Sequence, residues 1–218
     1  MAKDFDAVVF DMDGVIFDSE RATMLCWLAL AEKYNIPDIE KPYYACTGTT
    51  MAKTREIMKE AYGEDFDYDC FAAEASRMYH EKYDGGNLPM KPGVTELLEA
   101  LKKAGKKIAL ASSTRRQTVE NQLRWAKIDT YFDAVICGDM VERSKPAPDI
   151  FLKACEVLGV APTRAYAIED SYNGIRSAHA GALLPIMVPD LLPETEEMTQ
   201  LAQTVQKDLL KVRDYLFR

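Results

Sequence analysis

Five short, continuous apolar runs constrain the fold of this chain more than any other feature of its sequence. They are Ala7–Phe10, Ile108–Ala111, Ala134–Cys137, Ala165–Ile168 and Leu184–Val188, and the last four are separated by helix-like segments. A strand that is apolar on both sides is typical of a parallel sheet covered by helices on both faces. With right-handed crossovers, the pattern predicts an α/β fold with a doubly wound, Rossmann-like parallel sheet. We expect Leu184–Val188 to be its last strand.

A segment with only helical patterns interrupts this alternation after the first run. Between residues 17 and 88 strand signals are absent, and we predict helices over Thr23–Tyr34, about Thr50–Ala61 and Tyr68–Tyr83. The segment also carries most of the net charge of −8. We therefore predict a Rossmann-like catalytic core of residues 1–16 and 89–218, with a small all-helical cap domain, residues 17–88, inserted after the first strand.

Composition excludes several classes of function. The chain has 27 Lys and Arg against 35 Asp and Glu, and this acidic balance disfavours binding to nucleic acid or to anionic membranes. No run approaches the ~18 apolar residues of a membrane span, and the N-terminus lacks the apolar region of a signal peptide. Five cysteines without a C-x-x-C pair, and two histidines, provide no tetrahedral zinc set. We expect a cytoplasmic protein, a monomer or weak dimer, that acts on a small molecule.

Polar side chains follow the predicted strands at the edge where ligands bind in open parallel sheets. They are Asp11 and Asp13 after the first run, Ser112 and Ser113 after the second, Lys145 before the helix that follows the third, and Glu169 and Asp170 after the fourth. Several carboxylates at one edge raise each other's pKa unless a cation lies among them. A hard divalent cation with oxygen ligands, most simply Mg²⁺, removes that conflict.

Each of these motifs also has a simpler explanation when taken alone. Asp11-x-Asp13-Gly14 is compatible with a turn, Ser112-Ser113 with a helix cap, and Glu169-Asp170-Ser171 with an acidic helix start. A lysine before two prolines is ordinarily solvated. None of these explanations accounts for the fact that all four motifs lie at or beside strand ends. This joint placement favours a functional site.

Four ordered motifs carry a resemblance that covers nearly the whole chain. They are Phe10-Asp11-Met12-Asp13-Gly14-Val15, Ala111-Ser112-Ser113, Ser144-Lys145-Pro146-Ala147-Pro148 and Ile168-Glu169-Asp170-Ser171. With these motifs the sequence resembles the haloacid dehalogenase superfamily of phosphotransferases, in the helical-capped branch with β-phosphoglucomutase and small-metabolite phosphatases. The resemblance implies a Rossmann-like core with a cap inserted just after the first strand.

The resemblance also implies roles for the motif residues. Asp11 would be the nucleophile that forms an aspartyl-phosphate, and Asp13 the general acid and base. Mg²⁺ would be held by the Asp11 carboxylate, the Asp13 backbone carbonyl and the Asp170 carboxylate, with Glu169 behind them or acting through water. Ser112, with Ser113 beside it, and Lys145 would bind the phosphoryl oxygens.

The cap should separate phosphatases from mutases within this branch. β-Phosphoglucomutases have an arginine shortly after a cap-loop glycine and a histidine in the first cap helix, where this chain has Met51 and Thr23. The cap residues considered as substrate contacts are Gly48, Thr49, Thr50 and Arg55. We expect a Mg²⁺-dependent phosphatase of a small phosphorylated metabolite, most simply a sugar phosphate. A β-phosphoglucomutase-type mutase is the alternative. A phospho-acceptor signalling module is opposed by the cap and by Asp13.

Overall fold

The strands form one six-stranded parallel sheet. A computed structural model describes residues 2–47, 49 and 51–218. In chain order the strands are β1 (Ala7–Phe10), β2 (Lys107–Ser112), β3 (Ala134–Cys137), β4 (Ala165–Glu169), β5 (Leu184–Met187) and β6 (Thr204–Val205). Their order across the sheet is β3-β2-β1-β4-β5-β6, and every neighbouring pair is parallel. The predicted doubly wound sheet is confirmed.

The prediction that the fifth run is the last strand is wrong. The short strand β6 pairs with β5, with Ile186 opposite Thr204 and Met187 opposite Val205. A strand of two half-buried residues is too short to show a periodic pattern in the sequence. It becomes a strand only because the edge of β5 offers it unpaired backbone groups.

The helices follow the alternation expected around such a sheet. In chain order they are α1 (Ser19–Tyr34), α2 (Glu40–Cys46), α3 (Met51–Tyr62), α4 (Tyr68–Tyr83), α5 (Val94–Lys103), α6 (Arg116–Trp125), α7 (Asp149–Leu158), α8 (Tyr172–Ala180), α9 (Glu196–Leu201) and α10 (Leu209–Leu216). The helix α7 packs on β1, β2 and β3, whereas α8 packs on β4 and β5. These packings bury the short apolar strands.

Alternate residues of the central strands form one layer of the core. Ala7 and Val9 of β1 cluster with Ile150 and Phe151 of α7, and all four are at most 1% exposed. Small residues such as Ala109 and Ala167 complete this face of the sheet. Because side chains alternate along a strand, the intervening residues point to the opposite face. Burial on both faces accounts for the continuous apolar runs in the sequence.

The chain divides into two compact units, residues 1–18 with 89–218 and residues 19–88. The first contains the whole sheet, and the second contains only helices among its described residues. In the second unit α1 packs against α4 and α2, with Trp27 edge-on to Tyr43 and to Phe71. The assignment of these units as core and cap remains a proposal.

Two helix predictions in the second unit need correction. The first helix begins at Ser19, four residues before the predicted start, and α2 was not predicted at all. Pro42 lies in the first turn of α2, a position at which proline costs no helical hydrogen bond. Residue 50, the predicted start of the next helix, lies outside the described residues.

Within residues 2–47, 49 and 51–218, none of the helices is long and apolar enough to cross a membrane. The cysteines are all free: Cys26, Cys137 and Cys155 are buried, and Cys70 is exposed.

Candidate active site

The strand order brings the predicted motif residues to one edge of the sheet. β1 lies between β2 and β4, and Phe10 is in register with Leu110 on one side and Ile168 on the other. Asp11, the next residue, donates its backbone N–H to the Ile168 carbonyl at 2.9 Å. The residues that follow β1, β2 and β4 are therefore neighbours, at the point where the sheet changes winding direction.

Lys145 joins the ends of these three strands. Its Nζ donates to Asp11 Oδ1 at 2.6 Å, to Glu169 Oε1 at 2.7 Å and to the Ala111 carbonyl oxygen at 3.0 Å. Only 8% of the Lys145 side chain is exposed, against 10% for Asp11 and 1% for Glu169. Lys145 is thus a buried member of the predicted site and not a solvated surface lysine.

Neighbouring contacts position the segment that carries Lys145. The ammonium lies 5.1 Å from the ring centroid of Phe151, a distance that permits a cation–π interaction. The Ser177 hydroxyl of α8 donates to the Ala147 carbonyl at 2.6 Å. The loop before α7 is therefore anchored to the helix that follows β4, and this fixes the approach of Lys145 to the carboxylates.

The cluster of Asp11, Asp13, Glu169 and Lys145 carries more negative than positive charge. Burial is the largest cause that raises the pKa of Asp11 from 3.8 to about 8; the Lys145 ammonium opposes this rise, and the Glu169 and Asp13 carboxylates add to it. Burial alone would lower the pKa of Lys145, but the Asp11 and Glu169 carboxylates raise it above its ordinary value. One ammonium does not offset three carboxylates, so Asp11 needs a further cation to ionise at neutral pH.

Both oxygens of Glu169 have partners within the protein. While Oε1 accepts from Lys145, Oε2 accepts from the backbone N–H groups of Asp170 and Ser171, both at 3.0 Å, and from the Ser171 hydroxyl at 2.9 Å. Gly174, in the first turn of α8, has no side chain to occupy this space, and an added Cβ would overlap the carboxylate. Glu169 therefore connects Lys145 to the start of α8.

Asp13 is bound from β2 and the loop after it. The Thr114 hydroxyl donates to Asp13 Oδ2 at 2.9 Å, and the Ser112 hydroxyl lies 3.5 Å from the same oxygen. Ser112 is fully buried and also accepts the backbone N–H of Thr114 at 3.1 Å. Ser113 is exposed, and its backbone carbonyl lies against Gly138. Thr114 was not predicted from the sequence, although it directly follows the predicted Ser112-Ser113 pair.

The acidic residues of this edge fit a divalent metal ion. Asp11, Glu169 and Asp170 each offer a carboxylate oxygen, and these atoms lie within 4.8 Å of one another. Gly14 has a φ of +75°, and a Cβ at this position would overlap Asp170 Oδ2. Only glycine therefore allows the Asp170 carboxylate to lie against the turn after β1. Hard oxygen donors in such a group are the ligands that Mg²⁺ prefers.

The cap residues considered as substrate contacts belong to the second unit. Arg55 forms an ion pair with Asp69, at 2.6 Å between Nη2 and Oδ1, on an exposed surface. The Thr49 hydroxyl donates to the Cys46 carbonyl at 2.7 Å and lies 3.0 Å from the Thr54 hydroxyl. The other two predicted contacts, Gly48 and Thr50, lie outside the described residues.

A second group of charged residues at this edge was also not predicted. Asp190 follows β5, and its carboxylate is paired with Lys91, which is paired in turn with Asp18. The rule that polar residues after a strand form the site would have found Asp190 if it had been applied to the fifth run. Nothing in the local sequence pattern of Lys91 indicates this pairing.

Comparison with known proteins gives matches over most of the chain. A family model described as haloacid dehalogenase-like hydrolase matches residues 8–188. The chain is 32% identical over 182 residues to a phosphorylated carbohydrates phosphatase of Thermotoga maritima, with 82% of each chain covered. It is 31% identical over 190 residues to a beta-phosphoglucomutase of Bacillus subtilis, with 84% of this chain and 82% of that one covered. A solved HAD family hydrolase of Deinococcus radiodurans with bound phosphate and sodium matches with a TM-score of 0.82 and 25% identity, over 97% of this chain and 95% of that one.

Proposed function

Because the chain belongs to the haloacid dehalogenase-like hydrolase family, we propose that it is a Mg²⁺-dependent phosphatase of a small phosphorylated metabolite, most simply a sugar phosphate. The observation that carries the proposal is the buried bridge from Lys145 to Asp11 and Glu169, at 2.6 and 2.7 Å. It places an ammonium beside a carboxylate that directly follows the central strand. This is the arrangement that an anionic nucleophile needs to approach an anionic phosphoryl group.

Asp11 is the proposed nucleophile. One of its carboxylate oxygens bonds to phosphorus while the bond from phosphorus to the leaving oxygen breaks, which forms an aspartyl-phosphate. Asp13, held by Thr114, donates its proton to the leaving oxygen. In the second step Asp13 takes a proton from water, the water oxygen bonds to phosphorus, and inorganic phosphate and the Asp11 carboxylate are released. Lys145, Ser112 and Ser113 stabilise the phosphoryl oxygens.

The acidic cluster supports a place for the metal ion in this scheme. Asp11, Asp170 and the backbone carbonyl of Asp13 would hold Mg²⁺, which would supply positive charge to offset the repulsion of an anionic nucleophile and an anionic phosphate. Glu169 supports the site from behind, because both of its oxygens are bonded to Lys145 and to the start of α8. The proposed metal is consistent with the raised pKa of Asp11, since the protein alone leaves that carboxyl short of positive charge.

The test is release of inorganic phosphate from a panel of phosphorylated sugars and an aryl phosphate, with Mg²⁺ and with chelator. We expect Mg²⁺-dependent release by the parent protein. Asp11→Asn should abolish it, because an amide of nearly the same shape cannot form the acyl phosphate. Asp65→Asn, a change of the same kind at an exposed position, is the matched control and should retain activity. Turnover by the Asp11→Asn protein within tenfold of the parent, with contamination excluded, would refute the nucleophile assignment.

A mutase remains the second candidate, because the chain is nearly as similar to a beta-phosphoglucomutase as to a phosphatase. A mutase would use the same core residues but return the phosphoryl group to a second sugar hydroxyl. Whether the protein acts as a phosphatase or as a mutase therefore depends on how long the second unit retains a bisphosphate intermediate.

A further inference from the structure

Asp190 carries the one buried side-chain oxygen or nitrogen atom without a hydrogen-bond partner among the described residues. Its carboxylate is only 8% exposed. Oδ1 accepts from Lys91 Nζ at 2.5 Å, whereas the buried Oδ2 accepts no hydrogen bond. A buried carboxylate oxygen without a partner loses its hydration without compensation, so a proton donor or a cation is expected beside it when the protein works.

The unpaired oxygen lies near Asp170, one of the proposed metal ligands, beside the turn after β1. A Cβ placed on Gly14 would overlap Asp170 Oδ2 and lie 3.3 Å from Asp190 Oδ2. The two carboxylate oxygens therefore flank the same point above the Gly14 backbone. Two carboxylates this close repel one another, and the repulsion is relieved when a cation or its bound water lies between or beside them.

Lys91 explains how Asp190 is kept in this position. It lies just after the second unit ends at Leu88, and its backbone N–H donates to the Ile16 carbonyl at 2.8 Å. Its ammonium is also 3.1 Å from Asp18 Oδ1. Lys91 thus binds Oδ1 of Asp190 and leaves Oδ2 near Gly14, while Asp18 shares the same ammonium.

We propose that Asp190 is a positioning residue for the metal ion, whose Oδ2 accepts a hydrogen bond from a water molecule bound to Mg²⁺. Mg²⁺ keeps several waters when it binds to proteins, and these waters need acceptors around the site. This inference rests on the proposed function, because it requires a divalent metal at Asp11 and Asp170. Beside Asp11, Glu169 and Asp170, Asp190 would be a fourth carboxylate at the site, one that supports the metal ion without binding it directly.

The test measures metal binding directly, with Mn²⁺ as the probe and free Mn²⁺ followed by electron paramagnetic resonance. Two variants, Asp190→Asn and Asp190→Ala, remove the acceptor in different ways. We expect the dissociation constant for Mn²⁺ to rise by about 10- to 100-fold in both, the usual effect of removing an outer hydrogen-bond partner of a metal site. Circular dichroism and thermal unfolding show which of the two variants is folded and is used for the comparison.

Asp18→Asn is the matched control, because it removes the other carboxylate that shares Lys91 but leaves Asp190 in place. Its dissociation constant should stay within twofold of the parent. An equal loss in Asp18→Asn would show that only the Lys91 pairing matters and would overturn the inference. Unchanged Mn²⁺ affinity in the folded Asp190 variants would overturn it as well, whereas a parent protein that binds no Mn²⁺ would refute the proposed metal site itself.

Discussion

At the scale of single residues, the charges around Lys145 govern the chemistry that this site can perform. The Asp11 and Glu169 carboxylates share one ammonium, and burial raises the pKa of Asp11 to about 8 against the attraction of Lys145. A raised pKa means that the metal-free protein retains a proton on Asp11 at neutral pH. A metal ion that binds to this carboxylate must displace the proton, so metal affinity becomes dependent on pH.

We therefore expect the affinity for Mg²⁺ to increase as the pH rises from 5.5 to 8 and then to level off. Below the folded pKa of about 8, release of one proton gives at most about a tenfold gain for each pH unit. Isothermal titration calorimetry in buffers of different ionisation enthalpy measures both the affinity and the proton released. An affinity independent of pH over this range, with no proton release, would contradict the raised pKa.

Residue types alone identified most of the candidate site, but not how its members share partners. Asp11, Asp13, Glu169 and Asp170 could be named because each lies within three residues of the end of a predicted strand. That Glu169 supports Lys145 instead of facing outward could not be predicted. This role depends on the start of α8 reaching the carboxylate, which only the packing of α8 on β4 and β5 determines.

At the scale of elements, the first turn of α8 contacts Glu169 and so links this helix to the candidate active site. The Ser171 side chain accepts the Gly174 N–H at 3.1 Å as a helix N-cap, and its hydroxyl also donates to Glu169. A carboxylate at the N-terminus of a helix is stabilised by the exposed N–H groups and the helix dipole. This local arrangement works only because Gly174 leaves room for Glu169.

We expect Gly174→Ala to lower both stability and activity. Alanine normally stabilises a helix relative to glycine, but here its Cβ overlaps the buried Glu169 carboxylate. Overpacking of this kind costs about 1–3 kcal/mol in the free energy of unfolding. Displacement of Glu169 should also move Lys145 and reduce kcat more than it changes KM. Urea unfolding and steady-state kinetics measure the two effects.

Gly181→Ala is the control for the Gly174 prediction. Gly181 ends the same helix with a φ of −78°, and its nearest neighbour beyond the backbone is the flexible end of Leu183, 3.0 Å from the added Cβ. Activity should change less than twofold in this variant. The prediction is contradicted if the Gly174→Ala variant is as stable as the parent protein and has the same kcat. The position of Glu169 would then not depend on the absence of a side chain at Gly174.

Elements with strong periodic signals were predicted closely, and weak ones were missed for physical reasons. The predicted helix Tyr68–Tyr83 matches the structure at both ends. In contrast, the sequence analysis missed α2, which has only seven residues, and β6, which has two and carries no periodicity. Tertiary contacts decide such short elements, since isolated short helices and strands are only marginally stable.

At the scale of the whole molecule, we expect the second unit to carry the difference between the two candidate functions. Met51, which the family resemblance places where mutases have an arginine, is 66% exposed. Arg55 is paired with Asp69 at 2.6 Å, and the Thr23 hydroxyl donates to the Ser19 carbonyl of its own helix. Arg55 and Thr23 therefore already have partners within the second unit.

We expect the protein to release inorganic phosphate from β-glucose 1-phosphate with Mg²⁺ and a trace of the bisphosphate, with little glucose 6-phosphate formed. An arginine–phosphate contact contributes about 1.5–3 kcal/mol, or one to two decades in affinity. Without this contact, the bisphosphate should dissociate from the protein before its phosphoryl group is transferred back to Asp11. Enzymatic assays for phosphate and glucose 6-phosphate measure the ratio of the two products.

Met51→Arg provides the matched comparison for this ratio. The variant should raise the share of glucose 6-phosphate, whereas Met51→Lys, with a similar charge but no bidentate geometry, should raise it less. If the parent protein forms glucose 6-phosphate rapidly with almost no free phosphate, the mutase is the correct function.

The sequence by itself determined the parallel sheet, the helical insertion and the identities of the motif residues, because strand burial and residue chemistry act locally along the chain. The tertiary structure alone decided which charges share partners. Lys145 meets Asp11 across 134 positions of sequence, and Lys91 meets Asp190 across 99. Such pairings depend on strand order and on the packing of helices against the sheet, and no local pattern encodes the distance between two side chains so far apart in the chain.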